Sequence, residues 1–395
     1  MDLDAFRWLL TDAGQTLLAE AERAYAEIPD PVARATAVRR SGATAERASA
    51  ALTQAELRIR AVTKLEDLAP RMYFTPDGLE QATRLRVARH RAGRLAAAAP
   101  SSVLDLGCGI GGDLVAVAET GLTVAGVDTD PLRVAVAQAN LDALGLAGAV
   151  QQADGTTLDL SGFGVVFADP ARRGARGRVF DAEGWTPPWP FVLSLLARAS
   201  AVKVAPGLPH ELLPDGVEAE WVSDRGDVKE AVLWSSWLAT CRRRATVLGP
   251  GGLATLTEED DPWTDRVADR PVGDVSDYLY EPDGAVIRAG LVTAVAAGVE
   301  GHLVDPCIAW VSAGSAYRTP FARGYRVLEE VPYREKQLRA ALRERRVGSL
   351  TIKTRGVDAV PEQLRKRLDL AGDVTATLVL TRVADKGRAF LVDPL

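Results

Sequence analysis

The stretch VLDLGCGIGGD, residues 103–113, decides the fold of this chain. Its first four residues have the apolar character of a buried strand. The glycines that follow allow a sharp turn, and GDLVAVAETG then has the period of a helix. In α/β proteins such a turn lies at the carboxyl end of a strand, where ligands bind. The stretch therefore predicts a ligand-binding strand–turn–helix unit.

Outward from this unit, short apolar runs alternate with helical stretches. TVAGVD, AVQQAD, VVFADP and AVKVAP predict strands, and PLRVAVAQANLDALG and WPFVLSLLARA predict helices. Near-continuous apolar strands that alternate with helices are typical of a parallel sheet covered on both faces. AEWVSD and KEAVLWSSW predict a closing hairpin. The fold class is α/β, a doubly wound Rossmann-like domain.

Three carboxylates follow or interrupt these strands and narrow the choice of ligand. Gly107, Gly109 and Gly112 also satisfy the weak dinucleotide pattern G-x-G-x-x-G. Asp105, inside the first strand, suits a cationic amino group, which a dinucleotide lacks. A carboxylate at Asp128 can accept hydrogen bonds from ribose hydroxyls, and one at Asp154 can accept one from an adenine amino group. Together they favour S-adenosylmethionine over a dinucleotide.

VLDLGCGIGGD resembles the first motif of class I methyltransferases, and GVDTD and QQADG resemble the second and third. The resemblance implies a seven-stranded methyltransferase sheet over residues 71–238 and S-adenosylmethionine as the cofactor. The cofactor-binding residues expected from it are Asp105, Gly107, Cys108, Gly109, Gly111, Asp128 and Asp154.

The fourth strand ends in Asp169-Pro170-Ala171-Arg172, at the position that faces the transferable methyl group in class I methyltransferases. Asp169 and Pro170 match the motif of nucleic-acid amino methyltransferases, in which the acid orients the target amine; Ala171 and Arg172 depart from it. RNA uracil-C5 methyltransferases have a similar motif but need a cysteine nucleophile after the next strand. Lys203-Val204-Ala205-Pro206 stands there instead. We therefore predict methylation of an exocyclic amine or ring nitrogen, with Asp169 and Pro170 as catalytic residues.

Basic and aromatic residues near this motif are candidates for substrate binding. Arg172 and Arg173 begin an arginine-rich loop that could hold a phosphate backbone, or could pair with Asp181 and Glu183. Tyr73 and Phe74, or a tryptophan of residues 185–189, could stack on a base. Lys203 receives no assigned role.

The remaining segments predict further modules. Residues 1–70 are helical, residues 239–324 suggest a small α+β unit, and residues 325–395 follow a β-α-β-α-β-β pattern. This order resembles a bacterial methyltransferase family with a ferredoxin-like middle unit and a THUMP-like C-terminal domain. Because THUMP domains deliver tRNA to modifying enzymes, the resemblance implies an RNA substrate.

The charge of the chain is unevenly distributed along the sequence. Residues 333–395 contain fourteen Lys and Arg against eight Asp and Glu, an excess of +6, whereas the rest of the chain carries −12. Such asymmetry favours a nucleic-acid-binding tail, although a solvated helix face has the same composition.

Composition excludes several other classes of protein. The three cysteines and three histidines are scattered, so neither a metal site nor a disulfide framework is expected. No apolar run is long enough for a membrane span, and the acidic N-terminus does not suit a signal peptide, so we expect a cytoplasmic protein. The leading hypothesis is an RNA methyltransferase acting on a nucleobase nitrogen of tRNA or rRNA. The alternatives are a methyltransferase for a small molecule or protein, and a non-catalytic RNA-binding protein with a vestigial pocket.

Overall fold

The computed structural model describes residues 1–40, 42–169, 171–172, 185–186, 188–264 and 266–395. Two residues with predicted roles, Pro170 and Arg173, lie outside these ranges. The chain divides into two compact units, which are described separately. The first comprises Met1–Val217 and Val232–Ala239, and the second comprises Glu218–Ala231 and Thr240–Leu395.

The first unit begins with a helical segment. Its helices are α1 (Leu3–Leu9), α2 (Asp12–Glu27), α3 (Pro31–Arg39) and α4 (Ala45–Leu65), followed by a 3-10 helix at Glu66–Arg71. Each α-helix starts directly after an Asp or Thr whose side chain accepts a hydrogen bond from the first turn, which satisfies an otherwise unpaired backbone N–H. Pro29 lies between α2 and α3, and Pro31 is the first residue of α3, where a proline is tolerated.

The rest of the first unit is the predicted α/β layer structure. In chain order it contains α5 (Pro76–Gln81), α6 (Leu85–Ala97), β1 (Val103–Leu106), α7 (Gly112–Ala118), β2 (Val124–Asp128), α8 (Pro131–Leu144), β3 (Ala149–Gln152), β4 (Val165–Ala168), β5 (Ala171–Arg172), β6 (Trp185–Thr186), α9 (Trp189–Leu196), β7 (Ser200–Val204) and a 3-10 helix at His210–Leu212. The strand order β3-β2-β1-β4-β7 is parallel throughout. The chain reverses its direction of travel across the sheet between β1 and β4, which places a ligand-binding crevice at their carboxyl ends. The doubly wound α/β class is confirmed.

The hairpin β8 (Glu218–Asp224) and β9 (Asp227–Trp234) follows, and β9 belongs to both units. Within the first unit, the end of β9 lies beside β7. Within the second unit, β8 pairs with β10 (Arg243–Gly249), and β10 pairs with β11 (Gly252–Thr257). Counted through β9, the sheet has nine strands in the described ranges, where seven were predicted. The additional pair is β10 and β11, whose segment the sequence had placed in the next unit.

A second sheet forms the rest of the second unit. Its elements are β12 (Tyr278–Pro282), α10 (Gly284–Ala289), α11 (Val292–Gly298), β13 (His302–Asp305), β14 (Ile308–Ala313), β15 (Ala322–Val331), α12 (Glu335–Glu344), β16 (Val347–Arg355), α13 (Pro361–Leu368), β17 (Val374–Val383) and β18 (Lys386–Pro394), with 3-10 helices at Glu258–Asp260 and Val267–Asp269. The strand order is β13-β14-β12-β15-β18-β17-β16. From β15 onward the elements follow the predicted β-α-β-α-β-β pattern. Leucines of α12 and α13 pack on this sheet, as the apolar spacing of both helices requires.

Within the described ranges, no helix is both long enough and apolar enough to cross a membrane.

Candidate active site

The glycine loop connects β1 to α7. The backbone N–H groups of Gly107 and Cys108 both donate to the Val127 carbonyl, at 2.8 and 2.9 Å, which ties the loop to β2. Gly107 and Gly109 have φ values of 79° and 56°, in the left-handed region that favours glycine. A Cβ atom added at either residue would meet no atom within 4 Å. The loop therefore has open space over its backbone, where a ligand can approach closely.

Asp105 lies in β1 beneath this loop and is almost completely buried, with 3% of its surface exposed. Its Oδ2 atom is buried and has no hydrogen-bond partner among the described residues. Burial raises the pKa of this carboxyl well above its ordinary value, and the nearby Asp113 acts in the same direction, while Arg91 opposes both. A ligand with a cationic N–H donor would give Oδ2 a hydrogen bond and would also balance the negative charge of the ionised carboxyl. The amino group of S-adenosylmethionine has this chemistry, so the residue fits the expected cofactor.

Asp128, at the end of β2, shapes the glycine loop directly. Its Oδ2 accepts a hydrogen bond from the Gly109 N–H at 3.0 Å, and its Oδ1 accepts one from the Asp130 N–H at 2.9 Å. A carboxylate oxygen can accept a second hydrogen bond, so both atoms retain the capacity to receive ribose hydroxyls. The role predicted for Asp128 stays compatible with this geometry.

Cys108 and Asp154 differ sharply in environment. Cys108 is buried against Gly126, and burial raises the pKa of its thiol, so the side chain packs as a neutral group. Asp154 follows β3 and is exposed. Its Oδ1 accepts hydrogen bonds from the hydroxyl and backbone N–H of Thr156, at 2.7 and 2.9 Å, which lower the pKa of the carboxyl. Asp154 is thus an ionised acceptor, and its contact with adenine stays a prediction.

Asp169 follows β4 and forms an ion pair that the sequence analysis missed. Its Oδ2 lies 2.6 Å from Nζ of Lys203, in β7. In the parallel register of these strands Ala168 pairs with Val202, so the next residues of both strands are lateral neighbours. The signal was present in the sequence, because FADP and VKVAP are both strand ends, but only the register shows that their charges meet.

The ion pair belongs to a longer polar network in the first unit. Nζ of Lys203 also donates to Oγ1 of Thr83 at 3.2 Å, and the Thr83 hydroxyl donates to Oδ2 of Asp113 at 3.0 Å. Arg91 donates to the other oxygen of Asp113. The Asp113 carboxylate also lies close enough to Asp105 to influence its charge. The network therefore links the cofactor end of the site to Asp169.

Tyr73 and Phe74 do not have the environment that base stacking requires. Their side chains are 7% and 0% exposed. The side-chain amide of Gln54 accepts a hydrogen bond from the backbone N–H of Phe74 and donates one to its carbonyl. The side-chain amide of Asn140 makes the same two hydrogen bonds with the backbone of Tyr73. A ring without an exposed face gives a base no surface to stack on, so this burial argues against the predicted role. The segment instead braces the glycine loop, since Asn140 also donates to the carbonyl of Ile110 at 2.8 Å.

The remaining candidates lie in or beside the arginine-rich loop. The backbone of Arg172 belongs to β5 and pairs with Trp185 of β6. Pro170 and Arg173 lie outside the described residues, so their predicted roles stay predictions. Within the part of the chain that the structure describes, no group of three or more His, Cys, Asp or Glu side chains is arranged to hold a metal ion.

Comparison with known families finds matches along three stretches of the chain. A methyltransferase domain model matches residues 103–171, which contain the glycine loop and Asp169. A THUMP domain-like model matches residues 322–394. A domain of unknown function matches residues 2–61.

Relatives of known name share most of the chain. Two proteins from Mycobacterium tuberculosis, from strains CDC 1551 and H37Rv, are each 38% identical over 338 residues, which is 83% of this chain and 90% of theirs. Both are described as uncharacterised S-adenosylmethionine-dependent methyltransferases. The crystal structure of a proposed methyltransferase from Porphyromonas gingivalis W83 superposes with a TM-score of 0.75 at 23% identity, covering 96% of this chain and 98% of that one. That similarity shows a shared fold.

Proposed function

Because this chain belongs to the family of S-adenosylmethionine-dependent methyltransferases, we propose that it transfers a methyl group to a nucleobase nitrogen of RNA. The observation that carries the proposal is the state of Asp169, at the strand end that faces the transferred methyl group in class I methyltransferases. Its Oδ2 is held by Lys203. Its Oδ1 has no hydrogen-bond partner in the described ranges, and 34% of the side chain is exposed.

We assign some residues of the site to the cofactor and others to the substrate. When bound, S-adenosylmethionine supplies a methyl group activated by a sulfonium, so that a nitrogen–carbon bond forms as the carbon–sulfur bond breaks. Asp105 would hold the cofactor's amino group, and Asp128 would receive its ribose hydroxyls. Oδ1 of Asp169 accepts an N–H of the target nitrogen, which orients the lone pair and gives the departing proton an acceptor.

A nitrogen target is favoured over C5 of uracil because no cysteine stands at the described strand end where C5 chemistry would need one. Methylation at C5 of uracil needs a thiolate to add to the base first. Lys203 and Val204 occupy the strand end where that cysteine would stand. Cys108 is buried in the glycine loop, and its thiol has a raised pKa, which disfavours the reactive thiolate.

An RNA substrate is supported by the C-terminal module. The THUMP-like match covers residues 322–394, and the domain whose name it carries serves tRNA-modifying enzymes. The same residues carry the basic excess of the chain. Phosphate contacts supply much of the affinity of RNA-binding proteins, so a basic module suits delivery of RNA to the site.

The test is a labelling experiment with the full-length protein. Purified protein is incubated with S-adenosylmethionine carrying a tritiated methyl group and with total bacterial RNA from a strain that lacks the gene. We expect label in RNA, sensitive to ribonuclease, and nucleoside mass spectrometry should place the methyl group on a base nitrogen. D169A should bind S-adenosylmethionine with unchanged affinity but transfer no label. Label in protein or in small molecules, or normal turnover by D169A, would contradict the proposal.

A further inference from the structure

Lys203 contacts the proposed catalytic residue Asp169, and Thr83 contacts Lys203. Lys203 is mostly buried, with 18% of its side chain exposed, in a strand whose other residues are apolar or small. Burying an ammonium group is costly unless it is paired and hydrogen-bonded. Asp169 and Thr83 both meet that requirement here, at 2.6 and 3.2 Å.

We propose that Lys203 is a positioning residue for Asp169, and that Thr83 fixes Lys203 in turn; this inference rests on the proposed function of Asp169. Lys203 holds Oδ2 and so sets the rotation of the carboxylate. Oδ1 is then directed to the substrate as the one acceptor that the target nitrogen meets. A carboxylate without this anchor could present either oxygen in several orientations.

The direction of its hydrogen bonds allows Thr83 to act as an acceptor for the Lys203 ammonium group. A threonine hydroxyl has one hydrogen to donate and two lone pairs that accept. Its hydrogen is committed to Oδ2 of Asp113 at 3.0 Å, and that carboxylate is itself held by the buried Arg91. The lone pairs of Thr83 therefore face the Lys203 ammonium. This arrangement joins two positions 120 residues apart in sequence.

The anchor of Thr83 extends to the N-terminal helices. Lys64, at the end of α4, donates to the carbonyls of Leu79 and Glu80, at 2.8 and 2.5 Å. These carbonyls belong to α5, which ends two residues before Thr83. The helical segment thus helps to fix the position from which Thr83 reaches Lys203.

Four substitutions test the inference with the full-length protein. K203M keeps the length of the side chain without its charge, and T83V keeps its shape without the hydroxyl. K203R and T83S keep the donor and the hydroxyl. K229M is the matched control, since it removes another lysine–aspartate pair, with Asp227, outside the network.

We expect K203M to lower kcat for RNA methylation about 100-fold and T83V about 10-fold, the scale on which misplacing a reacting group slows a reaction. If both residues act only through Asp169, the KM for RNA and the Kd for S-adenosylmethionine should stay within about threefold of wild type. T83S should recover most of the rate and K203R part of it. A purely structural role would instead lower kcat, cofactor affinity and Tm together, without rescue. That pattern, or wild-type kcat in K203M and T83V, would overturn the inference.

A crystallographic comparison separates this inference from the proposed function. Wild type and K203M are crystallised with S-adenosylhomocysteine, and the side-chain torsions of Asp169 are compared. We expect Asp169 to change rotamer or to occupy several in K203M. An unchanged single rotamer overturns the positioning role, whatever the substrate. Wild-type protein that labels no RNA would instead contradict the proposed function, and the rotamer comparison would still decide the role of Lys203.

Discussion

Asp105 has an environment that is unfavourable for the free protein but suits the binding role predicted for it. A carboxylate that is 3% exposed, with one oxygen lacking a hydrogen-bond partner among the described residues, destabilises the free protein. The same oxygen and charge are what a cationic amino group needs. The glycine loop above it keeps the approach open, because side chains are absent at Gly107 and Gly109. The residue is therefore suited to the bound state at the expense of the free state.

The raised pKa of Asp105 predicts a pH dependence of cofactor binding. In the free protein, burial favours the protonated carboxyl, whereas a bound ammonium favours the ionised form. Binding should therefore release a proton from the carboxyl, and affinity should rise with pH as the carboxyl ionises, until the amino group of the free ligand loses its own proton at about pH 8. Calorimetry between pH 5 and 9, in buffers of different ionisation enthalpy, measures both effects.

The control for this prediction is D105N, which cannot ionise. We expect it to lose cofactor binding while its free energy of unfolding at neutral pH is equal to or above that of wild type, because asparagine carries no cost of ionising a buried carboxyl. Affinity that weakens as pH rises from 5 to about 7.5, below the ordinary pKa of the ligand's amino group, would contradict the assignment of Asp105 to the cofactor amine.

At the scale of elements, α5 packs on the glycine loop with no space between them. A Cβ atom added at Gly78 would lie 2.3 Å from Cγ2 of Ile110 and 2.6 Å from Oγ1 of Thr75. The Thr75 hydroxyl already accepts from the Gly78 N–H at the start of the helix. The helix α5, which precedes the first strand of the α/β domain, therefore sets the position of the glycine loop, where the cofactor is predicted to bind.

We expect G78A to lower both stability and cofactor affinity. Overpacking of this kind costs roughly 1–3 kcal/mol, and relief requires Ile110, and with it the glycine loop, to move. Cofactor affinity should fall several-fold, as measured by calorimetry alongside urea unfolding. G93A is the matched control, because a Cβ atom there meets nothing within 4 Å and alanine is a better helix former than glycine at this exposed position of α6. Equal cofactor affinity in both variants would show that α5 does not position the loop.

At the scale of the molecule, the basic excess of the tail is largely compensated in space. Nine of its fourteen Lys and Arg pair with carboxylates in the described ranges: Arg339, Arg343, Arg345, Arg346, Lys353, Arg355, Arg367, Arg382 and Arg388. Five of the partner acids precede the tail: Asp274, Glu281, Asp305, Glu329 and Glu330. The net charge counted along the sequence of the tail therefore overstates the positive potential that the second unit would offer to RNA. Surface pairs are weak, however, and a phosphate can replace the carboxylate in them.

Lys336 and Lys366 are exposed lysines of α12 and α13 without a carboxylate partner in the described part of the chain. If the tail binds RNA, K336E/K366E should weaken RNA affinity at least tenfold at low salt. The slope of the logarithm of affinity against the logarithm of salt concentration should become less steep by the equivalent of about two phosphate contacts. R39E/R40E makes the same charge change in the first unit and should have less effect. Filter binding between 50 and 300 mM salt measures the slope, and equal losses in both double variants would remove the tail as the RNA-binding module.

The sequence by itself determined the α/β class, the glycine loop and the order of elements in the tail, and the fold confirms these. It also determined the family and the cofactor, which the comparisons support. These properties follow from local patterns: a strand, its turn and the next helix are adjacent in the chain, so residue types at fixed spacing specify them. Asp105, Asp128 and Asp169 were predictable for the same reason, since each lies at or near a recognisable strand end.

Only the tertiary structure decided which of these residues meet. The Lys203–Asp169 pair depends on the register between β4 and β7, and the Thr83–Lys203 contact joins positions 120 residues apart. The burial of Tyr73 and Phe74 depends on Gln54 and Asn140, which no local pattern connects with them. Strand register and side-chain packing are properties of the folded chain, because they are set by contacts between segments and not by the composition of either one.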